Sequence, residues 1–100
     1  MGKAEGVIES YLKKQAKANG FLCEKFIAGR NGVPDRILIG HKKVAFVETK
    51  KPGDKARPLQ IAVHKEFREH GAIVYTVDTK EGVDQIIQEL LPKRLRKKEE

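Results

Sequence analysis

Apolar residues recur at helical spacing near the start of the chain. Ile8, Leu12, Gln15 and Ala16 form one stripe between about Glu5 and Asn19, widened by Val7 and Tyr11. Lysines occupy much of the remaining surface, and Gly20 supplies a C-terminal stop. Residues 21–28 then read as a strand, although Glu24 and Lys25 interrupt its alternation. After the Gly29-Arg30-Asn31-Gly32 loop, Asp35–Ile39 and Val44–Lys50 read as two strands joined by a turn at residues 40–43. Pro52-Gly53-Asp54 marks a loop, and Pro58 suits the first turn of a second helix, where its missing N–H costs nothing. Leu59, Ala62, Val63 and Phe67 give that helix its expected apolar face, and Gly71 ends it. A short apolar strand follows over residues 72–77. Asp78, with Glu81 completing a capping box, opens a last helix whose stripe is Val83, Ile86, Ile87, Leu90 and Leu91. The predicted order is αβββαβα: an α/β fold with a mixed central sheet flanked by helices. One domain spans residues 1–92, and the basic stretch 93–100 is set off as a flexible tail.

Charge narrows the function. Lysine and arginine number 21 against 14 acids, a formal net charge of +7 in 100 residues. Such an excess attracts polyanions, nucleic acid foremost, although solubility alone explains it about as well. A chain this short has little material for a deep enclosed pocket, so a shallow site facing a polymer fits it better. The single Cys23 excludes an intrachain disulfide and reads as a buried strand thiol rather than a nucleophile. No run is apolar enough to cross a membrane and the charged start lacks a signal-peptide core. The expectation is a soluble protein of a reducing compartment with no membrane partner.

The turn carries the chemistry. If the hairpin is centred between His41 and Lys42, Ile39 faces Val44, Ile37 faces Phe46 and Asp35 faces Glu48. Opposed residues share a sheet face with Cβ atoms about 5 Å apart. Lys50, two residues past Glu48, projects from that same face. This register requires a two- or four-residue loop; a bulge or a three-residue loop shifts it. Two carboxylates that close repel by roughly 3 kcal/mol at an effective dielectric of about 20, so a cation belongs between them. A hard divalent ion with oxygen ligands is one candidate, with the Thr49 carbonyl as a further donor. A purely structural ion pair with Lys50 is the other. Because Val44-Ala45-Phe46-Val47 is apolar on both faces, the charges emerge at the end of a buried central strand, which favours a site. Pro34 fixes the chain before Asp35, and Gly32 allows close backbone approach.

These residues resemble a known family. Gly32-Val33-Pro34-Asp35, Phe46-Val47-Glu48-Thr49-Lys50 and Pro58-Leu59-Gln60, with Glu9 in the first helix, are similar to the VRR-NUC branch of the PD-(D/E)XK nucleases. The resemblance runs from about Glu5 to Asp78. It implies an αβββαβ core with an additional C-terminal helix, and metal-dependent hydrolysis of DNA leaving a 5′-phosphate. By position, Asp35 and Glu48 would bind Mg²⁺ or Mn²⁺ with the Thr49 carbonyl, and Glu9 would reach the metal, directly or through water. Lys50 would act on the attacking water and the phosphate charge, as base or electrostatic stabiliser, and Gln60 would orient water or backbone. Stand-alone members resemble Holliday-junction resolvases, which implies a homodimer making paired cuts in four-way junctions, in the cytoplasm of a bacterial, archaeal or virus-infected cell. Arg57 departs from the small polar residue that many members place before the helical Pro-x-Gln.

Candidate DNA contacts are Arg30 and Asn31 in the glycine-flanked loop, Lys51, Lys55 and Arg57 around the loop after Lys50, and Lys13 and Lys17 on the first helix. For each helical lysine a solvated face is an equal reading. Arg36 points away from Asp35 and reads as structural. His41, His64 and His70 lack zinc spacing; only His64, one turn after Gln60, adjoins the site. Tyr11 and Phe26 read as core before dimer surface. The rivals are a less selective repair or recombination nuclease, a DNA-binding module without catalysis, and an RNA-cleaving enzyme.

Overall fold

The computed structural model describes residues 6–97, and the elements follow the expected order. Helix α1 (Val7–Ala18) leads into strand β1 (Leu22–Lys25), then β2 (Arg36–Gly40) and β3 (Lys43–Thr49). Helix α2 (Pro58–Glu69), strand β4 (Ile73–Val77) and helix α3 (Lys80–Leu90) complete the core. The sheet order is β1-β2-β3-β4, antiparallel up to β3 and parallel between β3 and β4, so the sheet is mixed as expected. The expected start of the first helix at Glu5 and the last residues of the basic stretch, 98–100, fall outside the described residues.

Hairpin register follows from its turn. His41 and Lys42 both take positive φ, 51° and 66°, which is the two-residue turn whose twist matches that of the strands. Left-handed backbone costs a non-glycine residue about 1–2 kcal/mol. His41 offsets this by hydrogen-bonding the Asn19 carbonyl through Nε2 at 2.9 Å and meeting the Phe21 ring edge-on at 4.9 Å. The pairs Ile39↔Val44 and Ile37↔Phe46 form as expected, which brings Asp35 opposite Glu48 just past the last paired residues, Arg36↔Val47.

The two sheet faces differ in cover. On one, Leu38, Ala45, Val47 and Val77 pack with Ile8, Leu12 and Ala16 of α1 and with Val83, Ile86, Ile87 and Leu90 of α3. Burial of each such leucine or valine contributes about 1.5–3 kcal/mol. On the other face α2 lies against β4, and Phe26, Phe46 and Phe67 meet edge-on at centroid spacings of 5.2 and 5.3 Å. Several local expectations change. β1 is only four residues long, and Val7 is exposed rather than part of the buried stripe. In α2, Leu59 and Ala62 are exposed, and Val63 and His64 are the buried residues. The cap of α3 is Thr79, whose hydroxyl accepts from Gly82 N, because Asp78 turns back to accept from Gly53 N at 3.2 Å. Cys23 is half-buried, and burial raises its thiol pKa. In the stretch set off as a tail, Lys93–Leu95 make a 3-10 turn, and the Arg96 guanidinium donates to the carbonyls of Leu91 and Glu89 at the end of α3.

Candidate active site

Pro34 is fully buried and delivers Asp35 to the end of the sheet. The Asp35 carboxylate reaches across to β3, where one oxygen accepts from Thr49 N at 3.0 Å and the other from Thr49 Oγ1 at 2.8 Å. Each oxygen keeps a further lone pair. Thr49 N–H points toward Asp35, whereas the next amide, Lys50 N–H, bonds Val77 of β4. Because N–H and C=O of one strand residue point to the same side, the Thr49 carbonyl also faces the Asp35 side, beyond the end of β2.

Glu48 is held by a different set of partners. One of its oxygens accepts from Gln60 Nε2 at 3.2 Å and lies 3.5 Å from Lys50 Nζ. Gln60 Oε1 in turn accepts from Lys50 Nζ at 2.7 Å and from the Arg57 backbone N–H at 2.9 Å. Gln60 thus joins Glu48, Lys50 and the start of α2. It also makes the reciprocal half of a capping box, accepting the backbone N–H of the N-cap residue. Glu48 is buried, with 6% of its surface exposed, and burial raises its carboxyl pKa. The negative charge of Asp35 adds to the rise, while Lys50 and a hydrogen bond from the Asp35 backbone oppose it.

A cleft of about 190 Å³ is lined by the first turn of α1 together with Asp35, Thr49, Lys50 and Lys51. Glu9 lines it too, but one Glu9 oxygen is taken by Arg36 Nε at 2.9 Å. Arg36 is itself buried, on the sheet face that α1 covers. This partner was missed in sequence, although the parity that turned Arg36 from Asp35 also aimed it at α1. A larger hollow of about 380 Å³ lies over Phe46 and Phe67 and contains none of the paired carboxylates. Its lining is chiefly apolar, so chemistry rather than volume identifies the candidate site.

The remaining sequence candidates are dispersed. Arg30 forms an ion pair with Glu66 of α2 at 2.6 Å and lowers the Glu66 pKa by that hydrogen bond, while Asn31 is exposed beside it. Lys55 and Arg57 are exposed in the loop between β3 and α2, near Lys51. Lys13 and Lys17 follow Glu9 at successive four-residue steps along α1 and border Phe21, Leu22 and Cys23. They run away from the carboxylates, along β1. His64 is buried near Lys50 and Asp35, and His41 and His70 are remote from them in structural hydrogen bonds.

Among the described residues, no three His, Cys, Asp or Glu side chains converge tightly enough to hold a metal by themselves. The donor set nevertheless fits a hard divalent ion. Mg²⁺ typically takes one or two carboxylates and completes its shell with water and substrate phosphate. Asp35 and Glu48 retain lone pairs, the Thr49 carbonyl faces the same side, and buried Glu48 beside the half-buried Asp35 calls for positive charge.

Comparison with known proteins shows the family and the fold. The family model described as "VRR-NUC domain" matches residues 4–81. A protein of Acyrthosiphon pisum secondary endosymbiont phage 1 named "Putative nuclease p44" is 35% identical over 79 residues, 77% of this chain and 85% of the relative. A solved structure titled "VRR_NUC domain" superposes with a TM-score of 0.76 at 33% identity, covering 84% of this chain and 94% of the other.

Proposed function

The chain belongs to the VRR-NUC nuclease family, and on that premise we propose that it is a Mg²⁺- or Mn²⁺-dependent DNA endonuclease leaving 5′-phosphate ends. The observation that carries this reading is the junction of Asp35, Glu48 and Lys50 at the end of β3, with Gln60 bonded to both Glu48 and Lys50. Asp35, Glu48 and the Thr49 carbonyl would hold the ion, and Glu9, which lines the same cleft, would reach it directly or through water. The bound ion supplies Lewis-acid polarisation of the phosphoryl oxygen and neutralises its charge. Lys50, steadied by Gln60, presents its ammonium to the attacking water and to the charge that grows on phosphate as the P–O3′ bond breaks. Gln60 fixes that ammonium and one Glu48 oxygen, so neither must reorganise during the reaction.

Lys51 at the cleft and Lys55 and Arg57 beside it are the first phosphate contacts, followed by Asn31. Arg30 contributes only on leaving Glu66, and Lys13 and Lys17 extend the basic track along α1. Residues 1–92 act as the nuclease domain, and the basic stretch 93–100 adds nonspecific affinity. The preferred substrate is a four-way junction, cut symmetrically by a homodimer with one site per subunit. The place of action is the cytoplasm of a bacterial, archaeal or virus-infected cell; among the described residues no helix is long and apolar enough to cross a membrane.

Labelled four-way junction, flap, duplex and single-stranded DNA, incubated with Mg²⁺, Mn²⁺ or chelator, test the reading. Metal-dependent symmetric junction cutting, lost in Lys50→Ala, is the expected result. Cutting without junction preference leaves a less selective nuclease, and DNA binding without cutting under either metal overturns the catalytic reading.

A further inference from the structure

The segment after Lys50 is fixed by hydrogen bonds rather than by burial. Residues 51–55 are all exposed, and a Cβ added at Gly53 would meet nothing within 4 Å. Lys51-Pro52-Gly53-Asp54 is nevertheless a closed turn. Asp54 N–H donates to the Lys51 carbonyl at 2.9 Å, and Gly53 has φ +84°. Proline at the second position and a left-handed glycine at the third define a type II turn. The Asp54 carboxylate is used at the exit of the turn, accepting from Lys55 N at 3.1 Å.

Two successive residues at the end of β4 hold this turn. The Val77 carbonyl accepts from Lys50 N–H at 2.8 Å, which continues the β3–β4 ladder by one bond. The Asp78 carboxylate accepts from Gly53 N–H at 3.2 Å. It does not cap α3, because Thr79 does so. Pro52 and Asp78 border a hollow of about 270 Å³ that shares Val7 and Ile8 with the cleft containing Asp35, Thr49, Lys50 and Lys51. The tethered turn therefore stands at the mouth of the candidate active site. Lys51, Lys55 and Arg57 make the stretch 51–57 basic against the single Asp54. A carboxylate set beside such a stretch weakens its attraction for phosphate. Charge therefore gives no reason for Asp78 here, whereas the bond to Gly53 does.

We propose that Asp78 is a positioning residue for the substrate: it clamps the Lys51–Asp54 turn to the end of β4, so that Lys51 and Lys55 meet the phosphates flanking the cut from a fixed place. An untethered exposed turn spends part of its time elsewhere, and apparent affinity falls with the fraction in place. The role in DNA binding rests on the nuclease reading above; the tether itself does not.

Two neutral variants separate the bond from the charge. Asp78→Asn keeps an acceptor oxygen and Asp78→Ala removes it, while both delete the charge of the carboxylate. Thr79 continues to cap α3 in each. In chelator, the Gly53 amide should exchange roughly fivefold faster in Asp78→Ala than in Asp78→Asn, the equilibrium factor of one hydrogen bond. The Lys50 amide, bonded to Val77, should exchange alike in both. Four-way junction affinity, also in chelator, should be higher in Asp78→Asn than in wild type, because a repulsive charge is gone. It should be lower in Asp78→Ala than in Asp78→Asn by roughly two- to fivefold. With Mg²⁺, KM for DNA should follow the same order at constant kcat, which a loss of global stability does not produce. Equal Gly53 exchange in the two variants overturns the tether, and unequal exchange with equal DNA affinity overturns its role in binding. A wild-type protein that binds DNA but cuts it with neither metal removes the nuclease reading, and the measurements in chelator still decide this one.

Discussion

Replacing Gly32 by alanine tests how the Asp35 loop is seated, and two other glycines separate the contributing terms. Gly32 has φ +89°, outside the range that alanine adopts readily, at a cost of about 1–2 kcal/mol. Its new methyl would meet Val63 Cγ2 at 2.9 Å, Leu59 Cγ at 3.1 Å and the Leu59 carbonyl at 3.2 Å. The Leu59 side chain is exposed and can swing away, but Val63 is buried and the carbonyl belongs to the helix. Overpacking of this kind adds about 1–3 kcal/mol. The lower entropy of an unfolded alanine chain returns about 0.4–1 kcal/mol. The net loss is therefore about 2–4 kcal/mol. Gly53 has a similar φ, +84°, and a methyl added there would meet nothing within 4 Å, so Gly53→Ala carries the backbone term alone and loses about 1 kcal/mol. Gly29 has neither positive φ nor a close neighbour, and Gly29→Ala should be neutral or stabilising by up to about 1 kcal/mol. Urea midpoints of the three variants in chelator give the ranking. Gly32→Ala should also cleave more slowly than Gly53→Ala at a temperature where both are folded. A Gly32→Ala loss equal to that of Gly53→Ala would show that contact with α2 does not constrain the loop.

Two further outcomes follow from the charges. Ionised Glu48 burdens the native state, because burial and Asp35 raise its pKa; the burden is absent below its ordinary value of 4.5 and appears as pH rises through the folded pKa. Metal-free wild type should therefore lose stability relative to Glu48→Gln as pH rises through that window, and divalent-ion affinity should fall as pH drops back through it, since ions and protons compete for the carboxylate. A flat stability difference between pH 4 and 8 would show that Glu48 is not so perturbed. Arg36→Met strands Glu9, whose side chain is 19% exposed, and should cost about 2–4 kcal/mol in urea unfolding. The double variant Arg36→Met/Glu9→Gln should recover much of that loss, and a double variant as unstable as the single one would refute the pairing.

Sequence by itself determined what depends on local periodicity and chain direction. The 3.6-residue stripes of α1 and α3, the buried run Val44-Ala45-Phe46-Val47 and a turn at residues 40–43 are local properties that carried the element order, and the hairpin register followed once that turn was centred between His41 and Lys42. Once that register holds, strand alternation alone brings Asp35 opposite Glu48 and Lys50 onto the same face. Tertiary structure decided which groups meet across elements. The pairing of Glu9 with Arg36 depends on α1 covering one sheet face, and the dual grip of Gln60 on Glu48 and Lys50 depends on α2 docking against the other. The apolar pattern of α2 misdirected its buried face, because half of that face is set by a close glycine and a buried imidazole rather than by hydrophobicity. Asp78 reads as a cap in isolation, but Gly53 competes for its carboxylate across 25 residues of chain, and Thr79 takes the cap instead. A side chain with several possible partners is assigned by geometry between elements, and that geometry exists only after the core has packed.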